Sequence, residues 1–137
     1  AQVAVLAGSV RPVDAGPARL AGIMVAAGAI ALLWWTVGSH RARLALWHQD
    51  DDAPVEIVTW GPYRLVRHPF YTSFLSALAA GALVAPHAVT AAPALFGLVA
   101  LTLTARREER RLAASHLGAQ YRAYLGRTGR FLPRVPR

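Results

Sequence analysis

The sequence predicts an all-α, polytopic membrane protein, with about three spanning helices followed by an amphipathic, cytoplasmic C-terminal helix. Three observations carry that prediction. Hydrophobic residues make up 55% of the 137-residue chain and charged ones only 16%. The apolar residues gather into two runs without a charged side chain, residues 20–38 and 69–105, on the scale of the ~20 residues that cross a bilayer as a helix. Thirteen of the fifteen Arg fall in residues 41–67 and 106–137, on either side of the second run. Arginine gathered in short segments beside apolar spans is the pattern of the positive-inside rule.

The same placement weighs against a nucleic-acid partner, which the net charge of +8 alone would invite. With no Cys there is no disulfide, no thiolate nucleophile and no Cys-ligated metal site. The first residues lack the basic start of a secretory signal peptide. Residues 1–137 read as one domain, with a family-like core at 55–135 and a remnant of an upstream helix at 1–18.

Within that remnant, residues 3–10 are apolar but too short to span. They read as the tail of an upstream helix or as a short interfacial piece, broken off by Arg11, Pro12, Asp14, Gly16 and Pro17. The first span is expected at 19–38. Trp34 and Trp35 near its end match an interfacial belt. Small residues four apart (Gly22 with Ala26, Ala27 with Ala31) offer a close approach to another helix. The linker at 48–60 carries Asp50, Asp51, Asp52 and Pro54. Consecutive aspartates lack the alternation of a metal loop, so a solvated turn is expected and no metal site. Residues 55–59 read as briefly extended before a Gly61–Pro62 turn.

The second run, 69–105, has punctuation near its middle at Pro86, His87, Thr90 and Pro93. Divided there it makes a hairpin of two helices, at 69–85 and 88–105, with Pro69 in the first turn and His87 as an interfacial polar residue. The tip carries no Arg, against four in the 38–70 loop and nine in the tail. Loop and tail are therefore expected in the cytoplasm and the tip outside. From 106 to 125 the pattern stays helical. Leu117, Tyr121 and Tyr124 share one face, while Arg110, Arg111 and Arg122 face water or head groups. Gly126 and Gly129 end the helix.

Both ends of the hairpin return to one face, which brings the segment 61–71, GPYRLVRHPFY, near Glu108 and Glu109. Each motif alone has a plain reading. Arg64, Arg67 and His68 can serve as topology anchors, and Arg106, Arg107, Arg110 and Arg111 can trade charge with Glu108 and Glu109 along one helix. Together they place cations and an imidazole opposite paired carboxylates at a dielectric boundary, where charges interact strongly. That set suits a zwitterionic cofactor carrying an ammonium, a carboxylate and a further positive charge.

These residues resemble the membrane methyltransferases that include isoprenylcysteine carboxyl methyltransferases and bacterial phospholipid N-methyltransferases. There a Gly-Pro-Tyr-Arg…Arg-His-Pro-x-Tyr loop precedes a helical hairpin and a Glu-Glu pair follows it. The matching residues are Gly61, Pro62, Tyr63, Arg64, Arg67, His68, Pro69, Tyr71, Glu108 and Glu109, and the tail pattern of Tyr121, Tyr124, Gly129, Arg130 and Pro133 is also similar. Ser73 departs from the Gly that many members carry there. The resemblance implies S-adenosylmethionine as cofactor. Tyr63, Arg64, His68, Pro69 and Tyr71 would form its binding stretch, Glu108 and Glu109 would hold its ammonium, and Arg67 and Glu108 would be the catalytic pair, with Arg67 nearest the reacting end of the acceptor. It also implies a lipophilic acceptor entering from the bilayer of a bacterial inner membrane, among membrane lipids, with the site facing the cytoplasm.

Two other readings compete. Membrane sterol and steroid reductases share His-Pro-x-Tyr and use a nicotinamide cofactor, but continue through Asn and a Gly-Glu pair, which His68-Pro69-Phe70-Tyr71-Thr72-Ser73 lacks. A non-catalytic membrane subunit could keep the scaffold alone. The acceptor is open among a phospholipid amine, a prenylated cysteine carboxylate and a small lipophilic thiol or acid.

Overall fold

The structure, a computed structural model, describes residues 16–40 and 57–134. The expectations for residues 1–15, for the aspartates at 50–52 and for Val55 lie outside the described residues. Four α-helices carry the described chain: α1 (Pro17–Ser39), α2 (Pro69–Val84), α3 (Ala88–Ala114) and α4 (Gly118–Arg127), with a 3-10 turn at Gly61–Arg64. Among the described residues the only extended pairing is an isolated parallel bridge between Val66 and Gly129.

Proline sets two of the helix starts. Pro17 and Pro69 open α1 and α2, behind Gly16 and His68 as N-caps. A residue in the first turn has no intrahelical acceptor for its N–H, so proline loses nothing there and its fixed φ favours the helix. The α2–α3 connection is confined to residues 85–87, tighter than the expected punctuation of Pro86 through Pro93. Thr90 belongs to the cap of α3: the His87 N–H donates to Thr90 Oγ1 at 3.2 Å, and the His87 ring accepts from the Thr90 N–H in return. Pro93 lies inside α3. Its missing N–H leaves the Val89 carbonyl without an i+4 donor, a cost that proline in the first turn does not carry.

α2 is the middle helix, packed extensively on α1 and more sparingly on α3. Small residues make the closer seam. Gly22, Ala29 and Thr36, seven apart, are the buried residues of α1, and Ser73 and Ala80, also seven apart, are buried on α2. A Cβ at Gly22 would come within 2.6 Å of Val84 and 3.1 Å of the Ala80 carbonyl oxygen. Close backbone approach through small residues is how helices associate where lipid removes the hydrophobic drive. The spacing that matters is seven, however, and Ala27 and Ala31 are exposed.

α1 and α3 are long and apolar enough to cross a membrane. α2 is apolar but has 16 residues, about 24 Å of helix. α3 runs on past the expected end of the span at residue 105, through the charged cluster to Ala114, in keeping with the helical pattern of 106–125, which it leaves at 115–117. Arg and Glu are good helix formers, so the loss of apolar character does not end the helix. The chain then turns at 115–117 and α4 folds back. Tyr121 and Tyr124 are buried with Ile57, against Leu112, Ala113, Leu117 and Leu125. Arg122 and Arg127 are exposed. At the same end of the molecule, Gly61 adopts φ 59°, where other residues are strained, and the Ser39 side chain fills the space its Cβ would need. The Trp60 indole N–H donates to the Ser39 carbonyl at 2.8 Å, fastening the turn to the end of α1.

Candidate functional site

A strap from the C-terminal segment fixes the Arg67–His68 loop. The Arg67 N–H donates to the Gly129 carbonyl at 2.8 Å and the His68 N–H to the Arg130 carbonyl at 3.2 Å. Thr72 Oγ1 donates to the Phe131 carbonyl at 3.0 Å. The Tyr124 hydroxyl holds the preceding turn by donating to the Tyr63 carbonyl at 2.6 Å. Every polar backbone group so engaged is lost to solvent, and such groups are rarely left without a partner. The loop is therefore locked from both sides before any side chain is considered.

The two carboxylates of α3 enter this frame differently. Glu109 is buried and points at two guanidiniums: Arg67 Nε donates to its Oε1 at 3.0 Å, Arg130 Nε to the same oxygen at 3.0 Å, and Arg130 Nη2 to Oε2 at 2.6 Å. Arg67 Nη1 also donates to the Thr128 carbonyl. Glu108 is one residue, about 100°, further back round the helix. Its side chain is 41% exposed against 10% for Glu109, and no guanidinium is paired with it among the described residues. It accepts from the Tyr71 hydroxyl at 2.6 Å. The exposed arginines of the cluster, Arg106, Arg107, Arg110 and Arg111, take no part.

His68 stands between the two acids. Its Nε2 is 3.3 Å from Glu109 Oε1 and its Nδ1 is 3.4 Å from Glu108 Oε2. Its ring stacks on Tyr71, centroids 5.3 Å apart and planes 6° from parallel, with Phe131 against it at 6.1 Å. Burial pulls the imidazole below its ordinary value of 6.5, outweighing the two carboxylates that would raise it. On the far side of Tyr63, His40 Nε2 and the Tyr63 hydroxyl are hydrogen-bonded at 2.9 Å, and Phe70 flanks the His40 ring. Burial, then Tyr124 and Glu108, hold the Tyr63 hydroxyl well above its ordinary range, and burial pushes Tyr124 up to about 12. These phenols keep their protons and can donate. Hydrogen bonding to Glu109 raises Arg130 in turn.

The structure thus brings Tyr63, Arg67, His68, Tyr71, Glu108 and Glu109 together, with Pro69 buried at the start of α2. Arg64 is exposed, and among the described residues no hydrogen bond or ion pair reaches it. Arg67 is turned inward on Glu109 and the strap. Two participants were not singled out by sequence reasoning: Arg130 as partner of Glu109, and His40 as partner of Tyr63. The Gly129-Arg130 pattern was a signal for the first, while His40 stood only as a polar residue after a span. Among the described residues no three His, Asp or Glu cluster to hold a metal ion.

Residues 20–114 match the isoprenylcysteine carboxyl methyltransferase (ICMT) family. The chain belongs to that family. With α1 and α3 this makes it an integral membrane protein. It is also 39% identical over 80 residues to the cobalt-zinc-cadmium resistance protein CzcN of Cupriavidus metallidurans. That alignment takes in 58% of this chain and 36% of the relative, so the chain spans little more than a third of the curated relative's length. No solved structure matches the chain.

Proposed function

We propose that the chain is a membrane methyltransferase that binds S-adenosylmethionine at Glu108, His68 and Tyr71 and methylates a lipophilic acceptor. One observation carries the reading. Of two adjacent carboxylates at the end of an apolar hairpin, one is saturated by arginines and the other keeps an exposed oxygen beside an imidazole nitrogen. A primary ammonium has three donors and no acceptor, so the acceptor set of Glu108 Oε2 and His68 Nδ1 fits the cofactor's amino-acid end.

When bound, S-adenosylmethionine supplies a methyl group already activated on its sulfonium. The residues then have to bind, orient and exclude water, where preorganisation carries most of the rate. Glu108 offers a charge-assisted bond to the ammonium. Tyr71, donating to Glu108 Oε1, holds that carboxylate and stacks on His68. Arg67 and Arg130 act through Glu109, which fixes the far nitrogen of His68. Tyr63 lines the side towards His40 and Phe70. The acceptor's apolar part lies in the bilayer beside α2 and α3, with α2 as a third, shorter span and the arginine-rich end in the cytoplasm, as the positive-inside rule supports.

Calorimetric titration of the detergent-purified protein with S-adenosylmethionine tests the reading. Saturable binding that is weakened by Glu108→Gln is expected. Binding of a nicotinamide cofactor in its place, or of neither, would overturn it.

A further inference from the structure

His68 lies between two acids, and a neutral imidazole has a single N–H to give. Glu109 Oε1, facing Nε2 at 3.3 Å, is the inner, buried acid, and Glu108 Oε2, facing Nδ1 at 3.4 Å, is the half-exposed one. With the N–H on Nε2, the Nδ1 lone pair points at a carboxylate oxygen. Two acceptors then face each other across a gap that is long for a hydrogen bond. Such a pair is repulsive until a donor stands between them.

We infer that the gap between Glu108 Oε2 and His68 Nδ1 is a slot that a proton and a primary ammonium contest, so that cofactor binding expels the proton from His68. The inference rests on the function proposed above and names a property of the same site. An ammonium in the slot donates one N–H to Glu108 Oε2 and another to His68 Nδ1. A protonated Nδ1 gives its own N–H to Glu108 and removes the acceptor the ammonium needs. No bond to carbon is made or broken: one N–H proton leaves His68 for solvent as the ammonium enters.

The surroundings of His68 are known on each side. α3 contributes Glu108 and Glu109. The loop contributes Arg67, bonded to Glu109, and the strap contributes Arg130 on the same acid and Phe131 on the ring. α2 contributes Tyr71, stacked on the ring and bonded to Glu108. Tyr63 approaches Glu108 from the 3-10 turn and stays protonated. The two guanidiniums spend their charge on Glu109, which leaves His68, facing Glu108, as the group of the cluster whose proton count changes.

The test is calorimetric titration of the detergent-purified wild-type protein with S-adenosylmethionine at about pH 7 and about pH 5.5. Both lie below the pKa of ~7.7–8.0 of an α-amino group, so the ligand stays an ammonium. Repeating each in buffers of different ionisation enthalpy counts the protons released. Binding is expected to weaken at the lower pH by no more than about thirtyfold, the limit for one proton over 1.5 pH units. Proton release should be larger there and fall towards zero at neutrality. In His68→Asn, whose side-chain oxygen replaces the Nδ1 acceptor and cannot be protonated, the pH dependence should disappear. Cofactor binding that releases no proton at either pH overturns the slot while leaving the methyltransferase reading in place. No binding by a protein that melts cooperatively overturns both.

Discussion

The two ends of the α2–α3 hairpin differ in what holds them. At the tip, His87 and Thr90 cap α3 through bonds between residues three apart, and Thr90 Oγ1 also reaches the Ala85 carbonyl. The tip is satisfied locally, although His87 Nε2 is buried without a hydrogen-bond partner among the described residues. At the other end, Arg67 meets Glu109 across 42 residues and the Thr128 carbonyl across 61, and Tyr124 meets Tyr63 across 61. A tight helical turn needs only its own caps. A site that presents one open carboxylate beside an apolar block needs distant segments to neutralise the other. Charge at a membrane boundary is costly to leave unpaired, so the end that carries the carboxylates is the one that long-range contacts must build.

Substitutions can break that contrast in order of size. Glu109→Gln leaves Arg67 and Arg130 without their anion, and breaking a buried pair costs about 3–5 kcal/mol. Thermal unfolding in detergent should show the largest drop here. A loss as small as at the tip would mean that the two ends are alike. Glu108→Gln should separate function from stability. Cofactor affinity is expected to fall roughly ten- to a hundredfold, the worth of a charge-assisted bond of ~1.5–3 kcal/mol, while the melting temperature falls less than for Glu109→Gln. Equal affinity losses in the two Gln variants would contradict the division of labour between the acids.

Tyr124→Phe removes the 2.6 Å bond to the Tyr63 carbonyl. It should cost about 1 kcal/mol, seen as a lower melting temperature, with a secondary loss of cofactor affinity as the turn loosens. An unchanged melting temperature would place the turn's support elsewhere. The smallest effect is expected at the tip. Thr90→Ala removes one side of the cap and should cost ~0.5–1 kcal/mol with affinity unchanged. If that variant binds cofactor more weakly, the hairpin transmits strain along its length and the ends are not independent.

The same contrast explains what the sequence made legible. Helix starts at Pro17, Pro69 and Ala88 fall close to those expected, because proline position and apolar runs are local signals. The shared face of Leu117, Tyr121 and Tyr124 was legible from spacing, and those residues pack together around Ile57. The end of α3 was not. The helical pattern reads on to residue 125, whereas the backbone breaks at 115–117 and α4 folds back, and Glu109 is buried by partners that no local window contains. The meeting of loop and Glu pair followed from both hairpin ends lying on one face. Which acid would be saturated depended on Arg130, and its reach to Glu109 is a property of the strap rather than of any motif.

The strap also sets an order of events in time. Residues 65–68 leave the ribosome some sixty residues before the Thr128 and Gly129 carbonyls that will hold Arg67. α1, α2 and most of α3 are made while Arg67, His68 and Glu109 still lack Arg130. Until residue 131 emerges, the membrane holds a hairpin with its carboxylates under-neutralised and its imidazole without the Phe131 lid. On the function proposed above, competence to bind therefore waits for residues 128–131, and a nascent chain stalled short of them would lack a finished site.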